Sequence, residues 1–104
     1  MRYVFRDVEI DEESLVVRKN GLLAHLEPRL FELLAYLVRN RQRVVTKAEL
    51  IDQVWRGDHV GESVITRGVC IVRGVLECRG AIRTVYGRGY QWAAQVSVRP
   101  TDQP

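Results

Sequence analysis

The sequence predicts one α+β domain: an antiparallel N-terminal β-sheet, three helices and a C-terminal β-hairpin. Three observations predict it. Apolar and charged residues alternate in "YVFRDVEI", which is the strand period. From Pro28 the apolar residues recur at helical spacing instead, and alternation returns in "AIRTVY" and "YQWAAQV" around a pair of glycines. The 104 residues, 46% of them hydrophobic, supply one core and not two.

Each element has a local cause. Tyr3 and Phe5, then Val8 and Ile10, alternate with charged neighbours, giving three or four strands with an acidic outer face. Within "SLVVRKNGLLAHL", Asn20-Gly21 is the pair preferred in a type I′ hairpin turn. Pro28 opens the first helix, which runs to about Arg39, because its fixed φ suits a first helical position. Leu30, Phe31, Leu34, Leu37 and Val38 form that helix's apolar stripe. After "RVV" at 43–45, Thr46-Lys47-Ala48-Glu49 is a capping box, in which threonine and glutamate each satisfy an end amide. The second helix carries Leu50, Ile51, Val54 and Trp55 on one side. The polar loop "RGDHVG" leads to a third helix, about 62–77, with Ile65, Val69, Val72 and Leu76 on its core stripe. Gly87-Arg88-Gly89 joins the two strands of the final hairpin, with Tyr90 and Trp92 on its inner side. The domain is assigned to residues 1–96. Residues 97–104, ending in "RPTDQP" with two prolines and no apolar anchor, read as a disordered tail or the start of a linker.

Several function classes drop out. The chain has no GxSxG elbow, phosphate-binding loop or HExxH motif, and Asp11-Glu12-Glu13 reads as a solvated turn, so no enzyme is expected. Cys70 and Cys78 form no CxxC, and His25 and His59 stand alone, which predicts no metal, no disulfide and no cofactor. No apolar run approaches the roughly 18 residues that span a bilayer, and the charged N-terminus is no signal peptide. The expected location is the cytoplasm. Charge is more informative. The chain carries +3 overall, with four basic and six acidic side chains in residues 1–27. Residues 67–104 hold six arginines against Glu77 and Asp102, six minus two giving +4. Arginines outnumber lysines fourteen to two, and the guanidinium fork suits phosphates and base edges. The asymmetry favours a polyanionic partner.

Three helices with a short second one, followed by a hairpin, make a winged helix-turn-helix. "LEPRLFELLAYLVRNRQRVVTKAELIDQVW" and, further on, "IRTVYGRGYQW" resemble the OmpR/PhoB-type DNA-binding domain. The resemblance covers about residues 3–94 and is strongest to the branch with this domain at the N-terminus, as in CadC- and ToxR-like regulators. It implies sequence-specific binding of double-stranded DNA by a bacterial-type transcriptional regulator. The third helix would lie in the major groove and the hairpin, residues 81–94, would be the wing at the minor groove. On this resemblance Thr66 and Arg67 reach bases, while Lys47, Trp55, Ser63, Arg73, Tyr86 and Arg88 hold phosphates or the minor groove. Glycines let the wing backbone approach the sugar-phosphate edge, and an arginine between them meets the negative potential of a narrow minor groove. Many family members place that arginine where this chain has Tyr86; here the charge comes two residues later, at Arg88. A homodimer on repeated half-sites is a further expectation.

The third helix leaves two readings open. Its outward side holds Ser63, Arg67, Cys70, Ile71, Gly74 and Cys78, with Thr66 and Arg73 on one flank and Val64, Gly68 and Val75 on the other. Base readout needs donors and acceptors, which only Thr66 and Arg67 offer; Arg73 is better placed for a phosphate. One reading is a domain that binds DNA mostly through backbone contacts, the wing and a few bases. The other is a protein-interaction module on a winged-helix scaffold, docking its partner on Val64 and Ile71, since soluble proteins seldom leave contiguous apolar surface unused. Cys70 and Cys78 read as small apolar residues.

Overall fold

The computed structural model of the chain describes residues 1–100, so what was expected of residues 101–104 lies outside the described residues. Four strands come first: β1 (Arg2–Phe5), β2 (Val8–Asp11), β3 (Val16–Lys19) and β4 (Leu22–Ala24). Helix α1 (Pro28–Arg39), strand β5 (Val45–Thr46), and helices α2 (Lys47–Gln53) and α3 (Glu62–Leu76) follow. The wing is β6 (Ile82–Val85) and β7 (Gly89–Trp92), with β5 added to make a three-stranded sheet in the order β5-β7-β6. The α+β winged helix-turn-helix expected from the sequence is the observed fold.

The tail needs a correction. Ser97–Arg99 is a strand, β8, rather than part of a disordered end. It runs antiparallel to β1, with Val98 opposite Tyr3 and Ser97 opposite Val4. The N-terminal sheet therefore has five strands, ordered β4-β3-β2-β1-β8, and the folded unit extends past residue 96. The cause is not local. Strand β1 presents an open edge of main-chain donors and acceptors that an extended segment can pair with, whereas three residues show no periodicity of their own.

The remaining architecture follows local rules. Tyr3, Phe5, Val8, Ile10 and Val17 point into the core. The outer side of the sheet is charge-paired rather than acidic, since Arg2 Nη1 bonds Glu9 Oε2 at 2.9 Å and Glu9 stands opposite Arg18. Asn20 and Gly21 both adopt positive φ, +54° and +78°, as a type I′ turn requires. Helix α1 is the hub, burying Leu33, Leu34, Leu37 and Val38 completely and packing on both α3 and β7. Phe5 meets Trp92 edge to face with ring centres 5.0 Å apart, which joins the N-terminal sheet to the wing. Among the described residues no helix is long and apolar enough to cross a membrane.

Candidate nucleic-acid interface

The start of α2 is fastened more firmly than a capping box alone would achieve. Thr46 Oγ1 accepts a hydrogen bond from the Glu49 amide at 3.1 Å, which is the expected half of the box. The reciprocal half does not form. The Glu49 carboxylate instead takes the Arg43 guanidinium as a fork, at 2.9 and 2.6 Å, and accepts the Tyr36 hydroxyl from α1. A charged, two-pronged donor outcompetes a single neutral amide. The Arg43 bond, assisted by Tyr36 and opposed by burial, lowers the Glu49 carboxyl to about 2. Lys47 is thereby held at a fixed point, its Nζ 3.6 Å from Glu62 Oε1 at the start of α3.

Helix α3 presents two unlike sides. Its core stripe of Ile65, Val69, Val72 and Leu76 is buried as expected. Gly68 was expected on a solvent flank and is buried with them. A Cβ there would stand 3.0 Å from Leu30 Cδ2 and 3.2 Å from Leu33 Cδ2, so the glycine is what lets α3 lie close against α1. Trp55 is more buried than its place near a phosphate suggests. It lies beyond the end of α2, is only 7% exposed, and packs beside Gly68 with the Arg29 guanidinium over its ring, so its ring is part of the core while its indole N–H has no partner among the described residues. On the outward side Ser63, Thr66 and Arg67 are exposed. The Thr66 hydroxyl donates to the Glu62 carbonyl at 3.2 Å, which leaves its oxygen to accept. Val64 and Ile71 are exposed by 37% and 43%.

The wing tip is one residue earlier than the sequence indicated. Arg88 N–H closes the turn on Val85 C=O at 2.9 Å, with Gly87 at φ +76°, and Gly89 already belongs to β7. Gly89 lies against β5 so closely that a Cβ would overlap the Val45 carbonyl oxygen and stand 2.8 Å from Thr46 Cα. Tyr86, 91% exposed, and Arg88 project from the tip. Arg73, expected to meet a phosphate, turns toward the wing. Its Nε and Nη2 donate to Ile82 C=O at 3.1 and 2.6 Å, and Nη2 also reaches Thr84 Oγ1 at 2.8 Å. Nothing local in the sequence signals this, because donor and acceptors meet only once the hairpin folds back on the helix.

These elements enclose a cleft of about 460 Å³. Lys47, Thr66, Tyr86 and Arg88 all line it, so four of the residues singled out from sequence converge on one space. Ser63 and Arg67 lie on the exposed side of α3 without lining the cleft, and Trp55 and Arg73 do not line it either. Sequence reasoning missed Glu62, whose carboxylate, 72% exposed, also lines it. Among the described residues no group of side chains is arranged to hold a metal ion.

Comparison with known proteins agrees with this fold. The sequence pattern of the family described as "Transcriptional regulatory protein, C terminal" matches residues 21–92. The sensory transduction protein RegX3 of Mycobacterium tuberculosis is 39% identical over 89 residues, which span 81% of this chain and 39% of RegX3. The DNA-binding domain of Escherichia coli CadC superposes with a TM-score of 0.82 at 28% identity, covering 92% of this chain and 94% of that domain. DrrB of Thermotoga maritima, an OmpR/PhoB homolog, superposes at 0.78 with 30% identity over 89% of this chain and 44% of DrrB. The chain thus spans less than half the length of RegX3 and of DrrB. From its helices, its wing and the family pattern that spans them, the chain belongs to the OmpR/PhoB-type winged-helix DNA-binding domains of transcriptional regulators, a DNA-binding family and not an enzyme.

Proposed function

We propose that this domain binds double-stranded DNA sequence-specifically, with α3 in the major groove and the wing tip at the minor groove, within a cytoplasmic transcriptional regulator. The cleft that gathers Lys47, Thr66, Tyr86 and Arg88 carries the reading. Lys47 and Arg88 offer cations to the sugar-phosphate backbone, and Thr66 lines the same cleft from the helix. Arg67 is exposed and makes no hydrogen bond among the described residues, which leaves its fork free for guanine O6 and N7. Ser63 lies in the first turn of α3, where exposed amides favour a phosphate. Trp55 fills the space beside Gly68, and its indole N–H, unpaired among the described residues, is left to donate to a phosphate.

The test is selection of bound duplexes from a random library, followed by titration on the selected and on a scrambled sequence. Log affinity should fall against log salt by about 0.9 per phosphate neutralised. Arg67→Ala should cost about 1–3 kcal/mol on the selected duplex and little on the scrambled one, because base contacts carry sequence information and phosphate contacts do not. Equal losses on both would remove Arg67 from base reading. Stoichiometry on duplexes with one and two copies of the selected site tests a homodimer on repeated half-sites.

The exposure of Val64 and Ile71 on one helix supports a second reading, a partner protein docked on that strip. Under it the selection recovers no sequence, and replacing both residues with serine abolishes partner binding.

A further inference from the structure

We infer that Arg73 is a positioning residue that sets the wing at a fixed distance and register from α3, so that the wing contributes to DNA binding only while this arginine is in place. The inference rests on the DNA-binding reading and goes beyond it, by assigning the coupling between the two contact elements to one side chain.

Within the wing sheet, β6 pairs with β7 alone. The other edge of β6 faces no strand, and hydrogen bonds from α3 engage it in addition to the burial of Ile82 in the core. Arg73, in the last turn of α3, supplies them. Its Nε and Nη2 converge on Ile82 C=O and its Nη2 reaches Thr84 Oγ1. The Ile82 acceptor is a main-chain carbonyl at the free edge of the strand, and the Thr84 acceptor is a side-chain hydroxyl two residues further along it. Two acceptors spaced along the strand axis resist sliding as well as separation. The second wing strand is engaged too: the guanidinium carbon lies 5.8 Å from the ring centre of Tyr90, and Tyr90 stands opposite Thr84. One planar group thus grips both strands at the base of the hairpin whose tip carries Tyr86 and Arg88. A lysine cannot replace it, since a single ammonium lacks the flat fork that addresses separate acceptors at once.

The decisive comparison is Arg73→Lys, Arg73→Met and Thr84→Val, each combined with Arg88→Ala and with Arg67→Ala, titrated on the selected duplex. Arg73→Lys and Arg73→Met should both weaken binding. In either background the penalty of Arg88→Ala should shrink by about fivefold, a coupling of the size that contacting groups show, while the Arg67→Ala penalty stays unchanged. Thr84→Val leaves the guanidinium intact and should act in the same direction with a smaller effect, which keeps the test open if Arg73→Met folds poorly. Without any DNA, amide relaxation should show Tyr86, Gly87 and Arg88 becoming more mobile in all three variants. Full affinity and an unchanged wing in Arg73→Lys would overturn the inference, because Arg73 would then be a mere positive charge. Independent, multiplying penalties for Arg73→Met and Arg88→Ala would overturn it as well. If the wild-type domain selects no duplex, the DNA-binding reading fails by itself, and the relaxation measurement still decides whether Arg73 holds the wing.

Discussion

Gly68 and Gly74 occupy the same helix and do opposite things. Gly68 is buried, and a Cβ there would press on two leucines of α1; Gly74 is exposed, and a Cβ would meet nothing within 4 Å. In isolation each should cost a helix about 1 kcal/mol relative to alanine. At Gly68 that cost is offset by the close seating of α3 on α1, which steadies the helix that bears Thr66 and Arg67. At Gly74 no contact of the described structure offsets it. The difference teaches that a glycine in a recognition helix is to be judged by the neighbour it admits, not by its helix propensity.

Substitutions sharpen this comparison, starting with the largest expected effect. Gly89 is the extreme case of close approach, because its neighbour is main chain and cannot rotate away. Gly89→Ala should destabilise by about 3 kcal/mol or more in urea unfolding, by prising β7 from β5. Gly68→Val should cost about 1–3 kcal/mol in the same measurement, since Leu30 and Leu33 can yield only partly. If Gly68→Val proves harmless, the close seating of α3 is not needed and the comparison breaks.

Acid probes the other anchor of the interface, the polar one. Against the opposing effect of burial, hydrogen bonds hold the Glu49 carboxyl at about 2 instead of its ordinary 4.5, with the Arg43 bond the main cause. A lowered carboxyl stabilises the fold fully above its ordinary value and loses that contribution as pH falls toward the folded value. The loss between pH 4.5 and pH 2 should be about 1 kcal/mol, since Arg43 is half exposed and water screens the pair. Thermal melts should show Glu49→Gln already lacking this contribution at neutral pH and changing less than the wild type on acidification. A wild type and a variant that lose stability in parallel would remove Glu49 as the cause. The smallest effect is a gain: Gly74→Ala should stabilise by about 0.5–1 kcal/mol, read by the same melts. Were it to destabilise as Gly68→Val does, the two glycines would not differ after all.

What could be read from the sequence depended on how far apart the deciding atoms lie along the chain. Asn20-Gly21 and Thr46 with Glu49 are neighbours, and both the turn and the cap oxygen are where the sequence places them. The second task of Glu49 was illegible, because Tyr36 comes from the preceding helix. Helical spacing put Gly68 on a flank, but its burial is decided by how near α1 approaches. Arg73 was legible as a cation and not as a clamp, since Ile82 and Thr84 reach it only through the folded hairpin. In the interface, Trp55 and Arg73 make contacts that no local pattern signals: Arg29 lies over the Trp55 ring and Arg73 over the Tyr90 ring.

Strand β8 also decides which edge of the N-terminal sheet stays open. By pairing with Arg2 through Val4 it covers the main-chain edge of β1 and leaves β4, at the far side of the sheet, as the edge without a partner. That edge carries Leu22 and Leu23, exposed by 73% and 68%. A chain cut after Val96 would present two bare edges, one of them bordered by leucines, and two-edged sheets join end to end into open stacks. Cutting there would therefore make the domain stickier long before it made it less stable.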